Sequence, residues 1–296
     1  MKKKTIFTGA ATALITPTAA AGVDYDHFGR LIDWQIVSGI NALVVCATTG
    51  EAPTLSDEEH HRTLIFAVER AAGRVPVIAG TGSNDTHHAV EMTKFAASIG
   101  ADAALCVTPY YNKPNQTGLI RSFSAIADAT DLPVILYNVP SRTHVTIEPA
   151  TYAELAKHPN IAAIKEAGDN FSKTMETFRL VGDQLDIYSG NDDQIAPIIA
   201  LGGKGVISVL SNVLPAETAE MCARGLRGDI AGCMELQLKY LPLIHLLFSQ
   251  TSPIPAKAAL SKMGFCEDYL RLPLVPMEEP FRAKLYAEMR ELEIIR

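Results

Sequence analysis

The chain has 296 residues, of which 48% are hydrophobic and 20% are charged, a composition that is typical of soluble globular proteins and excludes a disordered or collagen-like chain. Acidic residues outnumber basic ones by 33 to 26, so the net charge is -7 and we expect no binding to nucleic acid. No stretch approaches the roughly 18 consecutive apolar residues of a membrane-spanning helix, so we expect no membrane association.

The N-terminal segment and the cysteines indicate the cellular compartment of the protein. Lysines at positions 2–4 and the uncharged stretch after them resemble a secretory signal, but threonines, Gly9 and Pro17 interrupt that stretch. We therefore interpret residues 7–15 as a first buried strand. The five cysteines are widely spaced without a Cys-x-x-Cys pair, which argues against disulfides and structural zinc. A reducing compartment fits this pattern, and we expect a cytoplasmic protein.

Short apolar runs alternate with segments of helical periodicity over residues 7–226. The runs lie at residues 7–15, 42–46, 75–79, 103–107, 134–137, 161–165, 185–188 and 205–209. The helical segments lie at residues 26–37, 57–72, 84–99, 116–129, 148–157, 171–181, 194–201 and 215–226. Strands that are apolar on both faces favour a parallel sheet covered by helices, and eight such units favour a (β/α)8 TIM barrel.

A doubly wound open sheet is the alternative architecture. Gly80-Thr81-Gly82 begins like a dinucleotide fingerprint, but Asp85 stands where the third glycine belongs. We interpret this segment as a tight loop.

The alternation stops near residue 228. Three helical patterns follow at residues 229–248, 255–263 and 278–294. The sequence therefore predicts a catalytic barrel over residues 1–227 and a small C-terminal helical domain over residues 228–296.

Two helix starts carry capping signals. Ser56 with Glu59 forms a capping box, and Ser83 or Asn84 is expected to cap the third helix.

Reactive side chains of a barrel lie where its strands end. Lys165 ends the sixth apolar run. Desolvation disfavours an ammonium ion, and a neutral amine can attack a carbonyl to form a Schiff base. A salt bridge at the strand end, with Glu166 as the partner, is the other interpretation.

Three further strand ends carry polar side chains. Tyr111 and Tyr137 could relay protons beside an imine, or be half-buried tyrosines with satisfied hydroxyls. Thr48-Thr49-Gly50 could receive a carboxylate, or be only a turn. Arg142 could clamp a carboxylate with two hydrogen bonds, or pair at the surface.

Other polar clusters indicate no metal site. His60-His61 and His87-His88 are adjacent pairs, and neighbouring residues of a helix face different directions. Asn191-Asp192-Asp193 stands just before a helical segment, and we interpret it as a cap.

Five of these strand-end motifs together are similar to the dihydrodipicolinate synthase family, within the pyruvate-dependent class I aldolases that include N-acetylneuraminate lyase. They are Thr-Thr-Gly-Glu at 48–51, Pro-Tyr-Tyr-Asn-Lys-Pro at 109–114, Tyr-Asn-Val-Pro-Ser-Arg-Thr at 137–143, Ile-Lys-Glu at 164–166 and Gly-Val-Ile-Ser at 205–208. The resemblance covers nearly the whole chain, including Pro-Ile-Pro-Ala-Lys at 253–257.

The resemblance implies a lyase that condenses pyruvate with L-aspartate 4-semialdehyde to 4-hydroxy-tetrahydrodipicolinate, the first committed step toward diaminopimelate and lysine. It implies no cofactor, because the covalent Schiff base forms with the substrate pyruvate. Lys165 would form that Schiff base, and Tyr137 would pass protons near it. Thr49 would link Tyr137 to Tyr111, which a neighbouring subunit would supply. The implied assembly is a homotetramer, a dimer of dimers.

The resemblance also assigns substrate contacts. Thr48 and Thr49 would hold the pyruvate carboxylate, and Arg142 would receive the semialdehyde carboxylate. Gly190 and the main chain of Ile207 would line the pyruvate pocket. Two departures from the family pattern are Ala47 in place of a glycine and Ser252 in place of an asparagine.

An effector pocket for lysine, as in sensitive relatives, matches only in part. His60, Asn84 and Tyr110 match, but His88 takes the place of a glutamate, and residues 52–53 replace a Ser-Ala pair. The missing carboxylate would pair with the ammonium of the effector. We therefore expect weak or absent inhibition by lysine.

Two other functions stay open. One is a pyruvate Schiff-base aldolase that acts on a sugar acid, although such enzymes lack Ser-Arg-Thr after their Tyr-Asn-x-Pro stretch. The other is a catalytically silent barrel that binds a keto acid, which would have no need for Lys165 beside two tyrosines.

Overall fold

The computed structural model describes residues 3–296, and within that range eight parallel strands close into a barrel. The strands are β1 (Gly9–Ala13), β2 (Ala42–Val45), β3 (Val77–Gly80), β4 (Ala103–Val107), β5 (Val134–Asn138), β6 (Ile161–Glu166), β7 (Asp186–Ser189) and β8 (Gly205–Ser208). Each strand pairs with its neighbours in chain order, and β8 returns to pair with β1. The predicted barrel is therefore confirmed, and an open sheet is wrong.

A helix follows each strand and covers the outside of the barrel. These helices are α1 (Tyr25–Val37), α2 (Asp57–Ala71), α3 (Thr86–Ser98), α4 (Gln116–Ala127), α5 (Pro149–Leu155), α6 (Phe171–Val181), α7 (Ile195–Ala200) and α8 (Pro215–Leu226). Three more complete the chain, α9 (Ile230–Leu247), α10 (Ile254–Lys262) and α11 (Glu279–Glu291). In the described part of the chain, no helix has the length and apolar character needed to cross a bilayer.

The apolar core has two layers. One fills the space between the strands and the helices, with large side chains such as Phe28 and Phe123 fully buried. The other fills the barrel interior, where Phe7 stacks on Tyr188 at a ring-centroid distance of 4.2 Å. The Tyr188 hydroxyl donates to the Phe7 carbonyl at 2.7 Å, so the phenol is both packed and hydrogen-bonded.

The C-terminal helices pack on the barrel helices. α9 lies against α7 and α8, and α11 lies against α9 and α10. α10 is buried from Ile254 to Leu260, which is the pattern of a helix enclosed on all sides. The division of the chain into a barrel domain that ends at residue 227 and a helical domain that begins at residue 228 stays a prediction.

Local features depart from the sequence predictions at three places. The first strand begins at Gly9 and ends at Ala13, within the predicted residues 7–15. A small hairpin, Thr18–Ala19 with Gly22–Val23, follows it and was not predicted. The cap of α3 is Asp85, whose side chain accepts from the His87 amide at 2.9 Å, so Ser83 and Asn84 are wrong. The capping box of Ser56 and Glu59 is confirmed.

The barrel closes where two glycines meet. Gly9 pairs with Gly205 across the β1–β8 seam. Gly205 has φ +138°, and a Cβ atom there would lie 1.7 Å from the Gly9 carbonyl oxygen. Glycine is required at this position because the two backbones approach too closely for any side chain.

Gly205→Ala should lower the free energy of unfolding by about 3 kcal/mol or more, since the methyl group would force the β1–β8 seam apart. Urea unfolding followed by circular dichroism measures this. Gly202→Ala is the matched control, because Gly202 has φ +103° with no atom within 4 Å of its Cβ position. It should cost only the backbone strain, about 1 kcal/mol. Equal losses for the two variants would contradict the role of the seam.

Candidate active site

A cavity of about 510 Å³ lies at the carboxyl ends of β2 to β5. Residues after β2, β4 and β5 line it, and the segment 251–253 between α9 and α10 closes one side. The candidate substrate and effector side chains that line it are Thr48, His60, His88, Tyr110, Tyr137 and Arg142. Part of the predicted substrate site and part of the predicted effector pocket therefore share one space. The predicted substrate residues that do not line this cavity are Lys165, Thr49, Gly190 and Ile207.

Lys165 and Tyr137 stand side by side at the barrel mouth. They are register partners on β6 and β5, and the Lys165 Nζ lies 4.2 Å from the centroid of the Tyr137 ring. Both side chains are buried, with 5% and 6% of their surfaces exposed. Within residues 3–296 the Lys165 Nζ forms no hydrogen bond or ion pair, so its nitrogen is free to react with a carbonyl.

Glu166 faces the other side of β6 and does not pair with Lys165, so the salt-bridge interpretation is wrong. Its Oε1 accepts from Asn138 Nδ2 at 2.8 Å and from the Gly168 amide at 2.7 Å, and its Oε2 accepts from the Tyr152 hydroxyl at 3.3 Å. Burial raises the pKa of the Glu166 carboxyl, and these three donors oppose that shift. Successive residues of a strand point to opposite faces, which separates the two charges.

The segment after β2 forms a tight turn. The Gly50 amide donates to the Ala47 carbonyl and the Glu51 amide to the Thr48 carbonyl, each at 3.1 Å. Glu51 has a left-handed backbone, with φ +54°. Thr49 is 4% exposed, and neither its hydroxyl nor that of Thr48 bonds to another described residue. Of the two residues, Thr48 lines the cavity and so offers its hydroxyl to a ligand, whereas Thr49 does not line it.

The predicted proton relay is not joined within one chain. Tyr111 is 89% exposed, has φ +68° and is not among the residues that line the cavity. No hydrogen bond links the hydroxyls of Tyr111, Thr49 and Tyr137 within the described part of the chain. A bulky residue in this conformation carries backbone strain that surrounding contacts must support.

Gly190 follows β7 and contacts the end of β6, the strand that carries the Schiff-base candidate Lys165. Its amide donates to the Glu166 carbonyl at 2.6 Å, and a Cβ atom there would lie 2.7 Å from the Ala167 Cβ. Only glycine lets β7 approach β6 this closely. Ile207 is buried on β8 beside Ala11 of β1.

Asp192 is a buried carboxylate that sequence reasoning interpreted wrongly as a helix cap. Its Oδ2 accepts from the amides of Val209 and Leu210 at 3.0 and 2.9 Å, so it ties the end of β7 to the end of β8. Burial raises the pKa of Asp192, and these backbone donors lower it. No signal in a single sequence separates this role from capping, because both place aspartate before a short helix.

Arg142 reaches the cavity from the helical turn Pro140–Thr143, which follows β5. Its Nη2 donates to the Ser252 carbonyl at 3.3 Å, a contact with the C-terminal part of the chain. Thr143 is buried and accepts from the Thr108 hydroxyl at 2.9 Å, which anchors the turn. The Ser252 hydroxyl is buried without a partner among the described residues.

The effector residues are only partly together. His60 is buried with its Nε2 3.0 Å from the Gly80 carbonyl, and burial lowers the pKa of His60 to about 4, so its imidazole is neutral near pH 7. His88 and Tyr110 line the same cavity, whereas Asn84 does not. Asp57 also lines it and was missed. Asp57 opens α2, and its helix-start position gave no signal for a binding role.

Metal-ligating side chains are dispersed. Within residues 3–296, no three histidine, cysteine, aspartate or glutamate side chains stand close enough to hold a metal ion.

The sequence and the fold were compared with known proteins. The family model of the Dihydrodipicolinate synthetase family matches residues 6–292. The 4-hydroxy-tetrahydrodipicolinate synthase of Alkaliphilus oremlandii (strain OhILAs) is 52% identical over 290 residues, which cover 98% of this chain and 100% of that protein. The crystal structure of dihydrodipicolinate synthase from Aquifex aeolicus has a TM-score of 0.96 at 44% identity and covers 97% of this chain and 99% of that one.

A further similar structure is the enzyme from Cyanidioschyzon merolae, solved with lysine bound. It has a TM-score of 0.95 at 36% identity, and the match covers 99% of this chain and 100% of that one. The family model and these relatives each span nearly the whole chain. The chain belongs to the dihydrodipicolinate synthetase family.

Proposed function

We propose that this chain condenses pyruvate with L-aspartate 4-semialdehyde to 4-hydroxy-tetrahydrodipicolinate, the first committed step toward diaminopimelate and lysine. The observation that carries the proposal is the unpaired, buried Lys165 amine beside the Tyr137 ring at the open end of the barrel. Membership of the family, whose similar members bear the name of this activity, supports the same reaction.

The chemistry follows from a buried amine that meets a keto acid. The Lys165 nitrogen attacks the keto carbon of pyruvate, and loss of one water gives a covalent iminium, so no cofactor is needed. Removal of a methyl proton gives an enamine, whose carbon attacks the aldehyde carbon of the semialdehyde. The amino group of the semialdehyde then attacks the iminium carbon, closes the ring and releases Lys165. The Tyr137 hydroxyl is the group that moves protons in these steps.

Each substrate carries a carboxylate that the site must hold. The hydroxyls of Thr48 and Thr49 receive the carboxylate of pyruvate, and Gly190 and the Ile207 main chain line its pocket. Arg142, on the cavity wall, receives the carboxylate of the semialdehyde through its planar guanidinium. An arginine at this position favours the semialdehyde as the partner, because the semialdehyde is an aldehyde that itself carries a carboxylate.

The compartment is proposed from the cysteines. All five are free and buried, which fits a reducing environment and supports the cytoplasm as the location.

Lys165→Ala should abolish the adduct that borohydride traps with pyruvate and lower turnover at least about a thousandfold, because the nucleophile is gone. Intact-protein mass spectrometry after reduction detects the adduct, and a coupled downstream reductase measures turnover. Lys173→Ala, at a half-exposed lysine paired with Glu148, is the matched control and should behave as wild type. An adduct that still forms in Lys165→Ala would make the nucleophile assignment wrong.

Arg142→Ala separates the alternatives in the same experiment. It should leave pyruvate trapping intact while it lowers turnover of the semialdehyde at least about a hundredfold. A wild-type protein that traps pyruvate but turns over only sugar acids would be another aldolase. A wild-type protein that binds a keto acid without trapping would be a non-catalytic barrel.

We also propose that Tyr111 acts in the site of a neighbouring subunit of a homotetramer. The support is its 89% exposure in a strained backbone, a costly arrangement unless a partner packs on it.

Mixing two inactive variants, Lys165→Ala and Tyr111→Phe, tests delivery of Tyr111 between subunits. If the subunits mix at random, half of the dimers are hybrids. In a hybrid, the subunit that keeps Lys165 receives an intact Tyr111 from its partner, so one of the two sites is complete. Co-refolded mixtures should therefore recover about a quarter of wild-type turnover. Each variant refolded alone is the control. A mixture no more active than the two controls, or a monomeric wild type by sedimentation, would overturn the proposal.

We propose that lysine inhibits this enzyme weakly or not at all. His88 stands on the cavity wall where sensitive relatives carry a glutamate, so the ammonium of lysine loses one charged partner, which costs a few kcal/mol if the pair is buried. The Asp57 carboxylate on the same wall is a group that could compensate.

Initial rates measured against lysine concentration should show no half-inhibition in the submillimolar range. His88→Glu should lower the half-inhibitory concentration at least about tenfold, because it restores the carboxylate. Submillimolar half-inhibition of the wild type that Asp57→Asn removes would contradict the proposal and assign the ammonium to Asp57.

A further inference from the structure

A buried ion pair joins the C-terminal part of the chain to the turn after β2. The Lys257 Nζ on α10 lies 2.5 Å from the Glu51 Oε1, and the two side chains are 0% and 1% exposed. Glu51 directly follows Thr48, Thr49 and Gly50. The pair therefore connects α10, which is remote in sequence, to the residues proposed to hold the pyruvate carboxylate.

Oxygen atoms enclose the Lys257 ammonium. It donates to the Thr18 hydroxyl at 2.7 Å and to the Tyr269 carbonyl at 2.9 Å, and the Glu51 Oε1 is its ion-pair partner without forming a hydrogen bond. A lysine enclosed in this way cannot meet a substrate carbonyl. Burial lowers the pKa of Lys257, and the Glu51 carboxylate opposes that shift.

The ion pair acts at the point where the turn is most constrained. Glu51 has a left-handed backbone, and its carbonyl accepts from both the amide and the hydroxyl of Thr54 at 3.0 Å. The Thr16 hydroxyl holds the Gly50 carbonyl from the other side at 2.8 Å. The Glu51 side chain is held by Lys257 and more loosely by the Arg271 amide at 3.4 Å. The position of the turn thus depends on the ion pair between Lys257 and Glu51.

Stability alone does not explain two buried charges. The cost of removing charges from water offsets most of their attraction, and well-packed apolar side chains of similar volume stabilise a fold equally well or better. What a buried charge pair adds is a fixed separation, because a buried carboxylate is held against the one ammonium that offsets its charge.

We infer that Lys257 and Glu51 are positioning residues that hold the Thr48-Thr49 turn in the geometry that binds the pyruvate carboxylate. This inference rests on the proposed function. Neither residue touches the reacting atoms, and both act through the turn. The C-terminal part of the chain therefore sets the affinity of the barrel for its keto acid.

The experiment compares Glu51→Gln, Lys257→Met and the double variant. For each, the pyruvate concentration that gives half-maximal borohydride trapping at Lys165 is measured, together with kcat at saturating pyruvate. Each single variant should raise the half-saturating concentration at least about tenfold, while kcat changes less than about threefold. The double variant buries no unpaired charge and so should fold even where a single variant does not. It should still show the raised half-saturation, because the turn has lost its fixed partner.

Asp268→Asn is the matched control. It breaks the Arg282–Asp268 ion pair of 2.9 Å, which lies in the same C-terminal part of the chain and does not contact the turn. It should lower the melting temperature without a change in half-saturating pyruvate. If the double variant also lowers only the melting temperature and binds pyruvate as wild type does, the pair is structural and the inference is overturned.

The two levels of proposal fail in different ways. A wild type that traps no pyruvate overturns the proposed function and this inference together. A wild type that traps pyruvate at Lys165, with variants of unchanged half-saturation, overturns only the inference.

Discussion

Closure of the eight-stranded sheet is the constraint on which the rest of the molecule depends. The seam between β1 and β8 forms only because Gly205 has no side chain where its backbone meets that of Gly9. Once the sheet is closed and parallel, every carboxyl end of a strand opens toward the same side. Side chains that lie far apart in sequence, such as Thr48 and Arg142, then line one cavity.

Successive residues of a barrel strand point to opposite faces, so a reactive side chain can stand next in sequence to a structural one. Lys165 and its neighbour Glu166 differ by one position, yet one faces the interior beside Tyr137 and the other is held by Asn138 and Tyr152 outside it. A carboxylate beside Lys165 would stabilise the protonated amine, which is not nucleophilic, as an ion pair. The strand geometry keeps Lys165 unpaired, and the hydrogen bonds on the outer face satisfy the charge that burial would otherwise penalise.

The C-terminal part of the chain contacts the segments that form the cavity. Ser252 accepts from Arg142, Lys257 grips Glu51, and Arg271 binds the Glu59 carboxylate at the start of α2 with Nη1 to Oε2 at 2.6 Å. These contacts reach across more than a hundred residues of sequence to the loops after β2 and β5. They hold the walls of the cavity in place together with α2, whose residues Asp57 and His60 also line it.

The amino-acid sequence alone determined the fold class, since the alternation of short apolar runs with helical periods leaves few architectures for a parallel sheet. It also determined Lys165 and Tyr137 as candidate residues, because both end apolar strands and match a family motif. Only the tertiary structure decided that Glu166 turns away from Lys165, that Asp192 ties β7 to β8 instead of capping a helix, and that Lys257 meets Glu51. The reason is physical: periodicity and capping are local, whereas these contacts join segments that only closure and packing of the barrel bring together.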